Sequence, residues 1–103
     1  EGGIGCVIRA METFGNNELL QQNGCCALGN LACTNDDNRA TICRQGGIEL
    51  VIGAMETFGN NEELQQHGCS TLANWAGAND DCFKSEISTQ DVVQFVRTAI
   101  SKF

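Results

Sequence analysis

The octapeptide AMETFGNN occupies Ala10 to Asn17 and recurs unchanged at Ala54 to Asn61, 44 residues further on. At that offset Gly2 to Asp37 lies over Gly46 to Asp81, and 25 of the 36 residue pairs are identical. Each octapeptide is followed by a second shared run, Leu20-Gln21-Gln22 in one copy and Leu64-Gln65-Gln66 in the other. A period of this length marks stacked supersecondary units, none of which can bury its apolar face alone.

The spacing inside each unit is helical. Ile4, Val7, Ile8 and Met11 return as Ile48, Val51, Ile52 and Met55, at i, i+3, i+4 and i+7, and Phe14 and Phe58 extend the stripe. Gly15-Asn16-Asn17 and Gly59-Asn60-Asn61 then supply a glycine to end one helix and an asparagine to cap the next. The second helix is predicted from Glu18 to Cys33 and from Glu62 to Gly77, with Leu20, Gly24, Leu28 and Ala32 mirrored by Leu64, Gly68, Leu72 and Ala76. A mid-helix glycine costs about 1 kcal/mol of propensity relative to alanine, so Gly24 and Gly68 at matching places imply close helix contact. Asn35-Asp36-Asp37 and Asn79-Asp80-Asp81 read as helix-start residues. A short third helix follows over Ala40 to Arg44, and Gln45-Gly46-Gly47 breaks it before the next long stripe. Gln90 to Phe103 carries Val92, Val96, Ala99 and Phe103 on one face without the double glycine, as expected of a capping element. The organisation expected is therefore all-α, with a partial repeat and linking helix over 1–45, a second repeat over 46–89 and a terminal capping helix over 90–103.

Composition sets bounds on function. With 42% hydrophobic and 18% charged residues the chain has a globular composition rather than a disordered one. No apolar run approaches the roughly 20 residues of a membrane-spanning helix, so membrane insertion is not expected. Thirteen acidic against six basic residues, a net charge of −7, would repel the phosphate backbone that nucleic-acid binders neutralise, which argues against direct nucleic-acid binding. Seven cysteines form an odd set, two of them adjacent at Cys25-Cys26 in a predicted helix, which points to reduced thiols and a cytoplasmic or nuclear setting.

Taken in order, GGI, VI, LQQ, G-C, L-x-N-x-A and N-D-D-N-R-x-x-I (the last at Asn35 to Ile42) make the chain resemble the armadillo repeat family across nearly its whole length. The resemblance implies an α-solenoid of three-helix repeats in a right-handed superhelix, whose longest helices line a concave groove that grips extended peptides or partner surfaces. It also implies that a chain opening at Glu1-Gly2-Gly3, inside a repeat, belongs to a longer array.

By the same resemblance, an asparagine on the groove helix hydrogen-bonds the backbone of the bound peptide, and its counterparts are Asn30 in LGNLA and Asn74 in LANWA. The chemistry suits the role, because an amide offers donors and an acceptor together and so pairs with any peptide unit. One turn earlier the nuclear-import members carry a lysine-pocket tryptophan where this chain has Cys26 and Ser70, a departure from that class. Gln22 and Gln66, two turns before the asparagines, extend the same strip. Trp75 lies about 100° around the helix from Asn74 and reads as a packing residue.

Other chemistry fares less well. The cysteines and His67 show no Cys-x-x-Cys or equivalent spacing of a zinc site. Cys25 and Cys69 fall on the buried face, where cysteine acts as a small hydrophobe. His67 replaces Asn23 as a solvated helix residue and has no nucleophile paired with it by spacing. The acidic pairs recur with the repeat and are already explained as helix starts, and calcium would want a denser oxygen cluster. The expectation is a non-catalytic scaffold without cofactor, whose partner is a protein or extended peptide with basic segments, bound along Gln22, Cys26, Asn30, Gln66, Ser70 and Asn74. The runner-up is a small structural subunit docked on a larger assembly, and behind it stands a thiol redox or metal-binding protein.

Overall fold

The structure, a computed structural model, describes residues 2–33, 35–76, 97–98 and 101. Its described residues form five helices and no strand: α1 (Gly2–Thr13), α2 (Glu18–Cys33), α3 (Asp36–Arg44), α4 (Gly47–Thr57) and α5 (Glu62–Ala76). The protein is thus all-α, and the internal repeat is visible as α1–α2 followed, after α3, by α4–α5. Arg97, Thr98 and Ser101, within the expected capping helix, are helical and exposed. The side chain of Trp75, the Asn79-Asp80-Asp81 run and the remainder of the 90–103 element lie outside the described residues.

The apolar stripes read from the sequence form the core. Ile4, Ile8 and Met11 of α1, Leu28 and Ala32 of α2, Ile48, Val51 and Met55 of α4, and Leu64 and Leu72 of α5 are all buried in one cluster. Val7, Leu20, Ile52 and Phe58 pack against it, partly buried. Phe14, the counterpart of Phe58, is instead exposed, as is Leu19.

Each hairpin turn is closed in the same way. Asn17 Oδ1 accepts the Leu20 backbone N–H at 3.0 Å and Asn61 Oδ1 that of Leu64 at 2.9 Å, caps worth about 1 kcal/mol each. A second device was not anticipated. The buried Gln21 side chain donates to the carbonyls of Met11 (3.0 Å) and Phe14 (3.1 Å), at the end of the preceding helix. Gln65 does the same to Met55 (3.0 Å) and Phe58 (3.3 Å). The last carbonyls of a helix have no partner inside it, and here a side chain of the next helix supplies one.

The third helix starts earlier than Ala40, at Asp36, because Asn35 is its cap. Asn35 Oδ1 accepts from the N–H groups of Asp37 (2.8 Å) and Asn38 (3.1 Å), which leaves Asp36 and Asp37 in the first turn beside the positive helix end. The rest of the motif ties α3 back to α2. Asn38 donates to the Leu31 carbonyl at 3.0 Å, and Arg39 to the Ala32 carbonyl at 2.7 Å while also pairing with Asp36. The double glycine that follows divides two requirements between its members. Gly46 sits at φ 82°, a left-handed conformation that costs an L side chain strain, and a Cβ on Gly47 would come within 2.9 Å of the Ile42 carbonyl oxygen.

Candidate functional site

The two long helices α2 and α5 are neighbours, and the contact between them is the most specific feature of the molecule. Its buried end is centred on Thr71 of α5, which is 1% exposed. The Thr71 hydroxyl lies 3.0 Å from the Cys25 carbonyl of α2 and 2.8 Å from the His67 carbonyl one turn back in its own helix. Gly29 makes the room: a Cβ there would stand 2.5 Å from Thr71 Oγ1. At the other end Asn61 donates to Glu18 (2.8 Å) and to the side-chain oxygen of Gln22 (3.1 Å), and Gln22 in turn donates to Glu63. Repeat-to-repeat stacking is therefore secured by a polar seam as well as by apolar burial.

The proposed contact residues are set on this pair of helices as follows. Asn30 is exposed, and its amide nitrogen is 3.9 Å from the Cys26 sulfur, one turn away on the same face. Cys26 is half-buried. On α5, Gln66 and Ser70 are exposed and Asn74 is half-buried, and neither the Gln66 nor the Asn74 side chain makes a hydrogen bond among the described residues. Gln22 differs from its companions: half-buried, it is spent on the seam to Asn61 and Glu63. The spacing i, i+4, i+8 carries Gln66, Ser70 and Asn74 along one side of α5, with Cys26 and Asn30 at the equivalent places of α2.

Sequence reasoning missed two groups here. Gln21 and Gln65 fall in register with the buried residues of their helices, at i relative to Gly24, Cys25 and Leu28 in α2, so a polar residue inside an apolar stripe was the available signal. Thr71 and Glu63 stand where the two repeats differ, opposite Ala27 and Leu19 in the alignment, and carried no repeat signal at all.

The thiols divide by burial. Cys6 and Cys33 are exposed, Cys26 and Cys69 half-buried and Cys25 fully buried, all five free, whereas Cys43 is disulfide-bonded and departs from the expectation of reduced thiols. α5 reaches the Cys25 segment through the Thr71 hydroxyl on the Cys25 carbonyl, and Cys69 is the less buried of the aligned pair. Desolvation, reinforced by the neighbouring Cys26, pushes the Cys25 thiol from 9.0 up to about 12, and desolvation also raises Cys69. Burial favours the protonated thiol, so the folded state holds the Cys25 proton more tightly than the unfolded state does. The stability this contributes is complete below pH 9.0 and is lost as pH rises toward about 12. Denaturant midpoints should accordingly fall across that alkaline window, and less steeply in Cys25→Ala. In a native titration with an aromatic disulfide reagent Cys6 and Cys33 should react first and Cys25 last. Modification of Cys25 as fast as of Cys6 would contradict its burial.

Among the described residues no three His, Cys, Asp or Glu side chains gather as a metal site would require, and no helix is long and apolar enough to cross a membrane. A surface depression of about 480 Å³ at the α1–α2 turn is lined by Thr13 to Asn17, none of which titrates. No protein family, curated protein or solved structure matches the chain.

Proposed function

We propose that the chain is an armadillo-type stacked-repeat scaffold, without catalytic activity, which binds a partner protein or extended peptide along α2 and α5. The observation that supports this reading most directly is the pairing of α2 with α5. The 44-residue repeat gives both helices the same asparagine, Asn30 and Asn74, and the side-by-side packing of α2 and α5 supports their use by one bound peptide. An extended peptide that crosses such helices would meet one amide per repeat, each able to accept and donate to its backbone. Cys26, Ser70 and Gln66 would flank it, and Gln22 would border it from the seam. The net charge of −7 favours a partner with basic segments, through the encounter rate more than through affinity.

The test is binding of an array of extended, lysine-containing peptides by the parent and by Asn30→Ala/Asn74→Ala, with circular dichroism of both. Two lost hydrogen bonds at about 1 kcal/mol each should weaken the best peptide roughly tenfold or more, with an unchanged helical spectrum. Equal affinity in a folded double variant would remove this surface from consideration.

A further inference from the structure

We propose that a second copy of this chain docks on the outward side of α5 through the outward side of its own α2, continuing the α2–α5 stack head to tail. The proposal shares only Gln66 with the proposed peptide surface and rests on the internal junction as a template. On the α2 side that junction consists of Glu18, Gln22, Cys25 and Gly29, and on the α5 side of Asn61, Glu63 and Thr71. Moved by 44 residues, the first set becomes Glu62, Gln66, Cys69 and Ala73, and the second becomes Asn17, Leu19 and Ala27.

Five of the seven outward residues are less covered than their internal counterparts, as in an unfilled version of one junction, while Glu62 and Leu19 are exposed as Glu18 and Glu63 are. Gln66 and Ala73 are exposed where Gln22 and Gly29 are half-buried, and Asn17 is exposed where Asn61 is half-buried. Cys69 is half-buried against a fully buried Cys25, and Ala27 against a buried Thr71.

The outward sets also fit each other, and they do so through paired changes. Glu62 and Gln66 keep the carboxylate and amide that hold Asn61 internally, and Asn17 keeps the amide they would hold in a second copy. Internally the Thr71 hydroxyl needs the bare Gly29, since a Cβ there would lie 2.5 Å from its oxygen. In the outward sets Ala73 supplies that Cβ, and Ala27 lacks the hydroxyl it would strike. Leu19, 64% exposed, stands in place of Glu63, so docking exchanges one hydrogen bond for the covering of a large apolar side chain. A contact between two different faces leaves one of each open, so it propagates instead of closing at a dimer.

Sedimentation equilibrium of the full chain over a concentration series tests this, with non-reducing electrophoresis to exclude covalent dimers through Cys6 or Cys33. The average mass should climb beyond two copies. Ala27→Thr should weaken association about tenfold or more by overpacking against Ala73, and the further change Ala73→Gly should restore it. Gln66→Ala removes an exposed side chain that makes no hydrogen bond among the described residues of one copy, so it should weaken association while leaving helical content unchanged. A constant monomer mass, assembly that stops at two copies, or association indifferent to Gln66→Ala and to the Ala27–Ala73 exchange would each overturn the proposal.

Discussion

Gly68→Leu should lower unfolding stability by about 3 kcal/mol, at the upper end of what overpacking a core commonly costs. Gly68 faces Met55 across the α4–α5 hairpin, so closely that even a single added Cβ would stand 2.7 Å from Met55 Cγ and 3.2 Å from Cε, and closer still to the sulfur. Met55 is 2% exposed and belongs to the same buried cluster as Leu64 and Leu72, so moving it aside for a leucine would disturb that packing. The first repeat repeats the arrangement: a Cβ on Gly24 would meet the Met11 sulfur at 2.6 Å and Cγ at 2.7 Å. The glycines therefore set the distance between the two helices of each hairpin, and through it the position of Ser70 and Asn74. Gly53 is the matched control, a helical glycine of α4 with nothing within 4 Å of an added Cβ. Gly53→Ala should be neutral or stabilising by up to about 1 kcal/mol, from helix propensity and the restricted unfolded chain. Urea melts of the three proteins decide the matter. A Gly68→Leu protein with a midpoint at or above the parent's would show that the glycine does not lie at a close helix contact.

What the sequence disclosed depended on whether a residue's role lay within one repeat or between two. The stripe Ile48, Val51, Ile52, Met55 states its own burial, because a period of 3.6 is a local property, and the duplicated glycines and asparagines announce turns by backbone chemistry alone. Asn35 was legible as a helix start, but its consequence, a helix from Asp36 and not from Ala40, depends on the caps received by Asp37 and Asn38. Gln22 was read with Gln66 as one polar strip since the two are aligned, yet among the described residues only Gln22 is used against another repeat, at Asn61 and Glu63. Equivalence in sequence is not equivalence in environment in neighbouring repeats. Gln21 and Gln65 escaped for another reason. A glutamine on an apolar stripe looks like a solvated residue until the open carbonyls of the preceding helix are counted, and those belong to a different segment of chain.

That count leads to the second large effect. Gln65→Leu should cost about 2 to 3 kcal/mol even though it keeps the side chain's volume and leaves the core apolar. The lost groups are two donors, to the Met55 carbonyl at 3.0 Å and the Phe58 carbonyl at 3.3 Å. Phe58 O retains the Asn61 backbone N–H at 3.0 Å, so the Met55 carbonyl bears most of the loss, among the last carbonyls of α4 and next to a side chain only 6% exposed. Leaving such a carbonyl buried and unpaired costs about 1–3 kcal/mol, against which the extra apolar burial of leucine returns little. Gln65→Glu separates this explanation from simple loss of shape. At neutral pH the introduced carboxylate would face two carbonyl oxygens with no proton to offer, and burial would hold its folded-state pKa above the unfolded value. Its stability should therefore be poorest at neutral and alkaline pH and should recover as the pH falls and the protonated acid donates again. Gln65→Leu would show no such recovery. If both variants instead kept the parent's midpoint at every pH, the glutamine would be a spectator, and the angle between α4 and α5, with the placement of Asn74 that depends on it, would have to be set by the Met55–Gly68 contact alone.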